Sequence, residues 1–192
     1  MQLDDPSWAT AWQPPFSADD ARPLALVALS STFQDQLAAL ARIRDALTSL
    51  PLRAILTLGP GLADRTLDST KNVAVMRAAP HARILREAAV CISHCGHGTT
   101  LKALSAGVPL VCMPFGRDQG DNAARVVFHG AGVRLDRDAT IDEIARAVTT
   151  VLGDARYRAA ALRMADRLAA EAREDVCVRE LEALVLTPSR AA

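Results

Sequence analysis

Short apolar runs of strand length alternate with amphipathic stretches along most of this chain, and that alternation limits the folds it can adopt. The first run, LALVALS (residues 24–30), is followed by a helical pattern over residues 34–50. Runs that are apolar at every position, rather than at every second one, are typical of strands buried on both faces. A parallel sheet covered by helices on both sides buries such strands, so the sequence predicts a doubly wound α/β fold.

The later segments continue the pattern and bring the number of predicted strands to six. Further strands are predicted over residues 53–59, 72–76, 88–93, 109–114 and 132–135. Further helices are predicted over residues 80–87, 98–105, 118–129, 140–152, 155–174 and 176–186. Thr140 and Glu143 have the spacing of a capping box at the start of one of them. We therefore expect one Rossmann-like domain over residues 23–192, long enough to bury a substantial core.

Residues 1–22 have a different character. Trp8, Trp12 and Phe16 stand there among prolines and acidic residues. Such a segment is typical of an extended tether whose aromatic rings anchor on a neighbouring surface. We interpret it as a linker from a preceding domain.

The composition argues against several classes of function. Lysine plus arginine and aspartate plus glutamate both total 22, so no net basic field attracts the chain to nucleic acid or anionic membrane. No window approaches the ~20 apolar residues of a membrane span. The acidic N-terminal stretch is the opposite of a signal peptide. The 4 cysteines have no framework spacing, which favours a reduced, cytoplasmic protein with free thiols.

Polar and glycine-containing turns follow four of the predicted strands. These turns are residues 30–32, 78–81, 94–99 and 118–122. Ligands of parallel sheets bind beyond the carboxyl ends of the strands, where such turns meet. We therefore expect a ligand site at this edge of the sheet.

The turn HCGHGT (residues 94–99) has the features of a phosphate site. It opens a predicted helix, where free backbone N–H groups and the helix dipole favour an anion. Gly96 and Gly98 allow the backbone to approach a diphosphate, and Thr99 adds a hydroxyl. The His94 imidazole can donate to a phosphate oxygen.

Asp118, Gln119 and Asn122 lie in the next turn along the predicted sheet edge. Their carboxylate and amide groups can hydrogen-bond sugar hydroxyls. A purely local interpretation also exists, because Asp118 is a natural N-cap for the helix that follows. The neighbouring phosphate turn makes us favour the hydroxyl-binding interpretation.

Other interpretations of these residues fit less well. A dinucleotide fingerprint fails, since Leu101 replaces its third glycine and the turn follows the fourth strand rather than the first. Cys91, His94, Cys95 and His97 are metal-ligand types, but no second ligand pair accompanies them and Cys91 falls in a buried strand, so we expect no metal. There is no GxSxG elbow of a hydrolase and no interleaving of basic and aromatic residues for nucleic acid.

A longer set of spaced residues resembles the donor-binding signature of family 1 glycosyltransferases. These are two-domain GT-B enzymes, including the macrolide and natural-product type, that use nucleotide-activated sugars. The set comprises HCGHGT (94–99), AGVP (106–109), Pro114, DQ (118–119), NA (122–123) and RV (125–126). The resemblance covers residues 24–152, and the proline-rich opening is similar to the family's interdomain linker.

The resemblance implies an inverting, metal-independent transfer of a hexose from a TDP- or UDP-sugar to a hydroxyl of a small molecule or lipid, without a cofactor. His94 and the backbone of residues 96–99 would hold the diphosphate, and Asp118 and Gln119 the sugar. The 78–81 turn would hold the base, and the first loop would face the sugar and phosphates. The donor-binding residues implied or inferred are Ser30, Ser31, Ala79, His81, His94, Gly96, His97, Gly98, Thr99, Asp118, Gln119 and Asn122.

Two residues depart from the family pattern. Ala78 stands where the plant members have a base-stacking aromatic residue, and Lys102 stands where a glutamate commonly holds the ribose hydroxyls. The loss of that carboxylate favours a deoxyribose TDP donor, although Lys102 can equally be a solvated helix residue.

The family's catalytic base and acceptor pocket belong to its N-terminal domain. We therefore expect no catalytic residue here, and nucleotide binding without transfer by this chain alone. A donor-binding subunit of a split enzyme and a non-catalytic nucleotide-binding module both stay open as alternatives.

Overall fold

The computed structural model describes residues 12–29, 31–32, 34–172 and 176–186. Its six strands form one sheet in the order β3-β2-β1-β4-β5-β6, and every pair is parallel. The strands are β1 (Leu24–Ala28), β2 (Arg53–Thr57), β3 (Val73–Met76), β4 (Ala88–Ser93), β5 (Leu110–Cys112) and β6 (Gly132–Arg134). This is the Rossmann order, and the sequence order reverses between β1 and β4, which is where such sheets open a ligand crevice. The predicted fold is confirmed.

Seven α-helices connect or follow the strands in the described part of the chain. They are α1 (Leu37–Thr48), α2 (His81–Leu85), α3 (His97–Ser105), α4 (Gln119–Phe128), α5 (Ile141–Gly153), α6 (Ala155–Glu171) and α7 (Val176–Leu186). The capping box is confirmed, because the Thr140 side chain accepts from the Glu143 N–H and the Glu143 side chain accepts from the Thr140 N–H. A 3-10 turn at Pro60–Leu62 lies in what the sequence indicates is a loop.

The sheet separates two apolar layers. Alternate residues of β1 point to opposite layers, with Ala25 and Val27 in one cluster and Leu26 and Ala28 in the other. The first cluster packs against α1 and α5, and the second against α2, α3, α4 and α6. Strands β1 and β5 are buried at every residue, which explains why their sequences are continuously apolar.

The N-terminal segment contacts the second layer. Trp12 and Phe16 are half-buried and pack against it. The Arg83 guanidinium lies 5.6 Å from the centre of the Trp12 ring, within cation–π range. Trp8 lies outside the described residues.

Helix α7 carries apolar side chains at helical spacing that are exposed in the described structure. Val178, Leu181 and Leu184 have exposed fractions of 51%, 58% and 75%. Among the helices described, none combines the length and apolar character needed to cross a membrane.

Candidate functional site

A cleft of about 350 Å³ opens at the carboxyl ends of β3, β2, β1 and β4. It straddles the position where the strand order reverses, as expected for a ligand site of this fold. The sequence-predicted residues that line it are Ser31, Ala79, His81, His94, Gly96, His97, Gly98 and Thr99. The structure thus brings the loops after β1, β3 and β4, three of the four predicted turns, to one cleft.

Four predicted residues are not among those lining the cleft. Ser30 lies outside the described residues. Asp118, Gln119 and Asn122 follow β5 and do not contribute to its walls. Asn122 instead borders a second cavity of about 170 Å³ between α3, α4 and α6.

The turn between β4 and α3 is built to expose backbone to the cleft. Cys95 adopts a left-handed conformation, with φ of 62°, and its N–H donates to the Ser93 hydroxyl at 3.0 Å. Gly96 occupies the N-cap of α3 without a side-chain cap. The first N–H groups of a helix have no partner within the helix, and the residues that carry them here, His97, Gly98 and Thr99, line the cleft. This geometry suits an anion.

His94 and Gly96 fit against each other. A Cβ atom at position 96 would lie 2.4 Å from Nε2 of His94, so only glycine leaves room for the ring in this position. His94 is 8% exposed, and its Nδ1 has no hydrogen-bond partner among the described residues. Burial lowers the pKa of His94 below 6.5, while the Ala28 backbone and the Asp118 carboxylate oppose that shift. The imidazole is therefore held neutral near pH 7, with one N–H to donate.

Gln119 stabilises its own loop. It is 2% exposed. Its Oε1 accepts from the N–H groups of Phe115 at 2.7 Å and Gly116 at 3.1 Å, and its Nε2 donates to Oε1 of Gln34 at 3.0 Å. No local sequence pattern indicates the Gln34 contact, because the two residues lie 85 positions apart.

Asp118 and Asn122 connect the two turns. Nδ2 of Asn122 donates to Oδ2 of Asp118 at 2.8 Å and to the Cys95 carbonyl at 3.0 Å. The local interpretation of Asp118 as a capping side chain is wrong. The residue occupies the N-cap of α4, but its backbone is already helical and its side chain caps nothing. Its exposed carboxylate is instead oriented by Asn122.

Two residues that the sequence analysis did not single out also line the cleft. The Thr57 hydroxyl donates to the Val27 carbonyl at 3.2 Å and lies 3.0 Å from Nε2 of His81. Arg77 directly precedes the 78–81 turn and reaches the carbonyls of residues 62 and 63. Thr57 is the last residue of β2 and Arg77 directly follows β3, so the end of each apolar run is the sequence signal that marks them.

Three of the cysteines lie in the second apolar layer of the core. Cys91, Cys95 and Cys112 are buried free thiols. Burial raises the pKa of Cys91, and a hydrogen bond with Cys95 together with burial raises the pKa of Cys112, so both stay protonated. Across the described ranges, no three His, Cys, Asp or Glu side chains are placed to hold a metal ion.

The sheet order and the cleft at its switch point together define an α/β domain of the Rossmann-like class. Comparison with known proteins gives the particular family. Residues 41–184 match the family described as Erythromycin biosynthesis protein CIII-like, C-terminal domain, and this chain belongs to that family. The resemblance to natural-product glycosyltransferases is thereby confirmed.

Individual relatives agree with this assignment. The 4'-demethylrebeccamycin synthase of Lentzea aerocolonigenes is 32% identical over 153 residues, which are 79% of this chain and 36% of that protein. The crystal structure of the kitacinnamycin glycosyltransferase superposes with a TM-score of 0.74 at 29% identity, covering 83% of this chain and 41% of that one.

A further solved structure contains a nucleotide. The spinosyn rhamnosyltransferase SpnG, complexed with thymidine diphosphate, gives a TM-score of 0.69 at 25% identity, covering 82% of this chain and 45% of that one. This chain therefore spans less than half the length of each of these three proteins.

Proposed function

We propose that this chain is the donor-binding half of an inverting, metal-independent glycosyltransferase. It would bind a TDP- or UDP-sugar and serve transfer of the hexose to a hydroxyl of a small molecule or lipid. The observation that carries this proposal is the cleft itself. It has the His94 turn at one end and the turn containing Ala79 and His81 at the other.

The dimensions of the cleft support a nucleoside diphosphate. The His94 turn follows β4 and the Ala79 turn follows β3, with β1 and β2 between them. Three strand spacings of about 4.8 Å separate the two turns by about 14 Å. A diphosphate and a base joined by a pentose bridge a comparable distance.

The chemistry follows from the phosphate end. An acceptor hydroxyl, deprotonated by a base, would attack the anomeric carbon while the bond to the diphosphate breaks. Negative charge then grows on the departing diphosphate, which the His94 N–H and the first turn of α3 would stabilise. Because these groups meet the charge directly, the mechanism we propose needs no metal and no cofactor.

We place the catalytic base and the acceptor pocket in a further, N-terminal domain. This chain spans 36% of the 4'-demethylrebeccamycin synthase, which leaves ample length in that relative for a second domain. Residues 1–22 would be the connection to it, and residues 23–192 the donor domain. The free buried thiols are compatible with work in the reducing cytoplasm.

Lys102 leads us to prefer a TDP-sugar over a UDP-sugar. It is half-buried on α3, one helical turn beyond Gly98. Lysine offers no acceptor for a ribose 2′-hydroxyl, so a deoxyribose loses nothing at this position. The thymidine diphosphate in the SpnG structure supports the same preference.

The test is calorimetric titration of the 192-residue chain with TDP, UDP and GDP in excess EDTA. We expect TDP to bind most tightly and His94→Ala to weaken it about 10- to 100-fold, the range of a lost charge-assisted hydrogen bond. Failure of every nucleoside diphosphate to bind would refute the proposal. Equal binding of NAD would favour a dinucleotide site instead.

A further inference from the structure

Arg77 is an anchored cation in the wall of the cleft. It directly follows β3 and lines the cleft beside Ala78. Its Nη1 donates to the Leu62 carbonyl at 3.2 Å and also to the Ala63 carbonyl. The guanidinium is therefore tied to the loop after β2, which forms another part of the cleft wall through Gly59 and Pro60.

The rest of the Arg77 guanidinium is not committed to protein groups. In the described ranges it forms no ion pair with a carboxylate, and no hydrogen bond involves its Nε or Nη2. Other arginines of the chain differ, since Arg22 and Arg156 each hold an aspartate at 2.7 Å. A cation without a counter-charge in a cleft has a face and donors available to a ligand.

The same end of the cleft lacks a ring that could cover a base. No Trp, Tyr or Phe is among its described lining residues, and Ala78 is small and exposed. His81 is engaged with Thr57 at 3.0 Å. A planar guanidinium stacks on a nucleobase in the way an aromatic ring does.

We propose that the Arg77 guanidinium stacks on the base of the bound nucleotide. The inference rests on the proposed function and adds to it the residue that recognises the base. Arg77 lies at the β3 end of the cleft, about three strand spacings of 4.8 Å from the phosphate turn, where the base of a diphosphate held by His94 falls. Anchoring by the loop carbonyls fixes the plane before the ligand arrives, so little side-chain entropy is lost on binding.

The decisive comparison titrates TDP and inorganic pyrophosphate into three proteins, which are the wild-type chain, Arg77→Lys and His94→Ala. Arg77→Lys keeps the positive charge and a donor for the loop carbonyls but loses the plane. We expect it to weaken TDP about 5- to 50-fold, the range of a lost base stack. Pyrophosphate should bind it within about 2-fold of the wild-type chain, whereas His94→Ala weakens both probes.

A second variant asks whether a ring can replace the guanidinium. In the double variant Arg77→Ala with Ala78→Trp, the indole occupies the neighbouring exposed position and should recover most of the TDP affinity that Arg77→Ala loses. In the wild-type chain, TDP but not pyrophosphate should shift the Arg77 Nε–H resonance upfield, because the base ring current acts on a stacked guanidinium. If Arg77 only holds the 62–63 loop, TDP should leave its Nε–H resonance without this upfield shift, which would overturn the inference.

The outcomes separate this inference from the proposed function. If the wild-type chain binds TDP and Arg77→Lys binds it equally well, the stacking role is wrong and the function stands. If Arg77→Lys loses TDP and pyrophosphate to the same extent, Arg77 acts on the phosphates and the inference is overturned. If the wild-type chain binds pyrophosphate but gains nothing from the thymidine group, both the inference and the nucleotide site fail.

Discussion

The turn after β4 and the turn after β5 lie at the same edge of the sheet but differ in how they are built. The turn after β4 leaves its backbone uncapped and directs it into the cleft, with Gly96 cleared for the His94 ring. The turn after β5 is closed on itself, since the Gln119 amide is used by its own loop and by Gln34. The turn after β4 therefore leaves backbone N–H groups exposed to the cleft, whereas the Gln119 amide of the turn after β5 stabilises the fold.

The difference shows that a polar side chain at this edge of the sheet can be used by its own loop rather than face the cleft. Asp118 remains exposed, and Asn122 ties it to the Cys95 carbonyl beneath the phosphate turn. A ligand that contacts Asp118 would therefore act on a network that already reaches the phosphate turn. We propose that sugar recognition by the second turn rests chiefly on this carboxylate.

Gly96→Ala should have the largest effect on binding. The new Cβ would lie 2.4 Å from Nε2 of His94 and displace the ring. We expect calorimetry to give a loss of TDP affinity of about 10- to 100-fold, similar to that of His94→Ala. Gly120→Ala is the matched control, because its Cβ meets no atom within 4 Å and the position is outside the cleft.

Gly98→Ala sharpens that result. A Cβ at position 98 also meets nothing within 4 Å in the free protein, yet the residue lines the cleft. Thermal unfolding should be unchanged while TDP affinity falls, because the methyl group fills space that a phosphate needs. Wild-type affinity in both Gly96→Ala and Gly98→Ala would mean that the diphosphate does not lie at this turn.

Gln119→Leu should affect stability more than nucleotide binding. Two backbone N–H groups, those of Phe115 and Gly116, would lose their acceptor in a half-buried loop. We expect the free energy of unfolding in urea to fall by about 2 to 4 kcal/mol, and TDP affinity to change less than about 3-fold. Gln119→Glu keeps the acceptor oxygen for these two N–H groups but loses the donor to Gln34 in a buried position, so it should also lower the stability. A stable Gln119→Leu that discriminates poorly between TDP and a TDP-hexose would reverse our assignment of the two turns.

Asp118→Asn should have a smaller and more selective effect. The side chain is exposed and caps nothing, so we expect a change in unfolding free energy below about 0.5 kcal/mol. Calorimetry should give unchanged affinity for TDP but about 3- to 10-fold weaker binding of a TDP-hexose, the loss of one hydrogen bond to a charged group. Asp121→Asn, an exposed neighbour on the same helix, is the control. An equal loss in both variants would point to a general charge effect.

The sequence predicts the fold well because most strand positions are apolar and the strands alternate with helical segments along the chain. The ends of the strands are predicted less accurately. Residues 109–114 were predicted as a strand, but only Leu110–Cys112 form one, since Pro109 and Pro114 cannot donate to a ladder. The sequence predicts only a loop between β2 and β3, whereas the structure has a 3-10 turn at Pro60–Leu62 there. Gly59 precedes this turn with a positive φ of 72°.

The sequence predicts the part of the candidate site that is formed by backbone groups better than the part formed by side-chain contacts. A glycine-rich turn before a helix has a local signal, which the His94 turn carries. The contact between Gln119 and Gln34 and the anchoring of Arg77 on Leu62 join residues that are distant in sequence. No local pattern distinguishes an amide that binds a ligand from one that holds a loop.

The smallest expected effect is the pH dependence that His94 imposes. Burial lowers its pKa below 6.5 in the folded chain, so the unfolded chain takes up more protons in mildly acidic solution. The stability that His94 contributes is therefore complete above pH 6.5 and is lost as the pH falls through the folded pKa.

A bound diphosphate reverses the preference of His94 for the neutral form, because an adjacent negative charge favours the imidazolium. We expect TDP affinity to rise on acidification more steeply in the wild-type chain than in His94→Gln. The terminal phosphate of TDP titrates equally in both measurements, so the difference between the two slopes reports on His94 alone. His129→Gln, outside the cleft, is the control. Identical pH slopes for the wild-type chain and His94→Gln would separate His94 from the diphosphate and leave the backbone of α3 as the anion site.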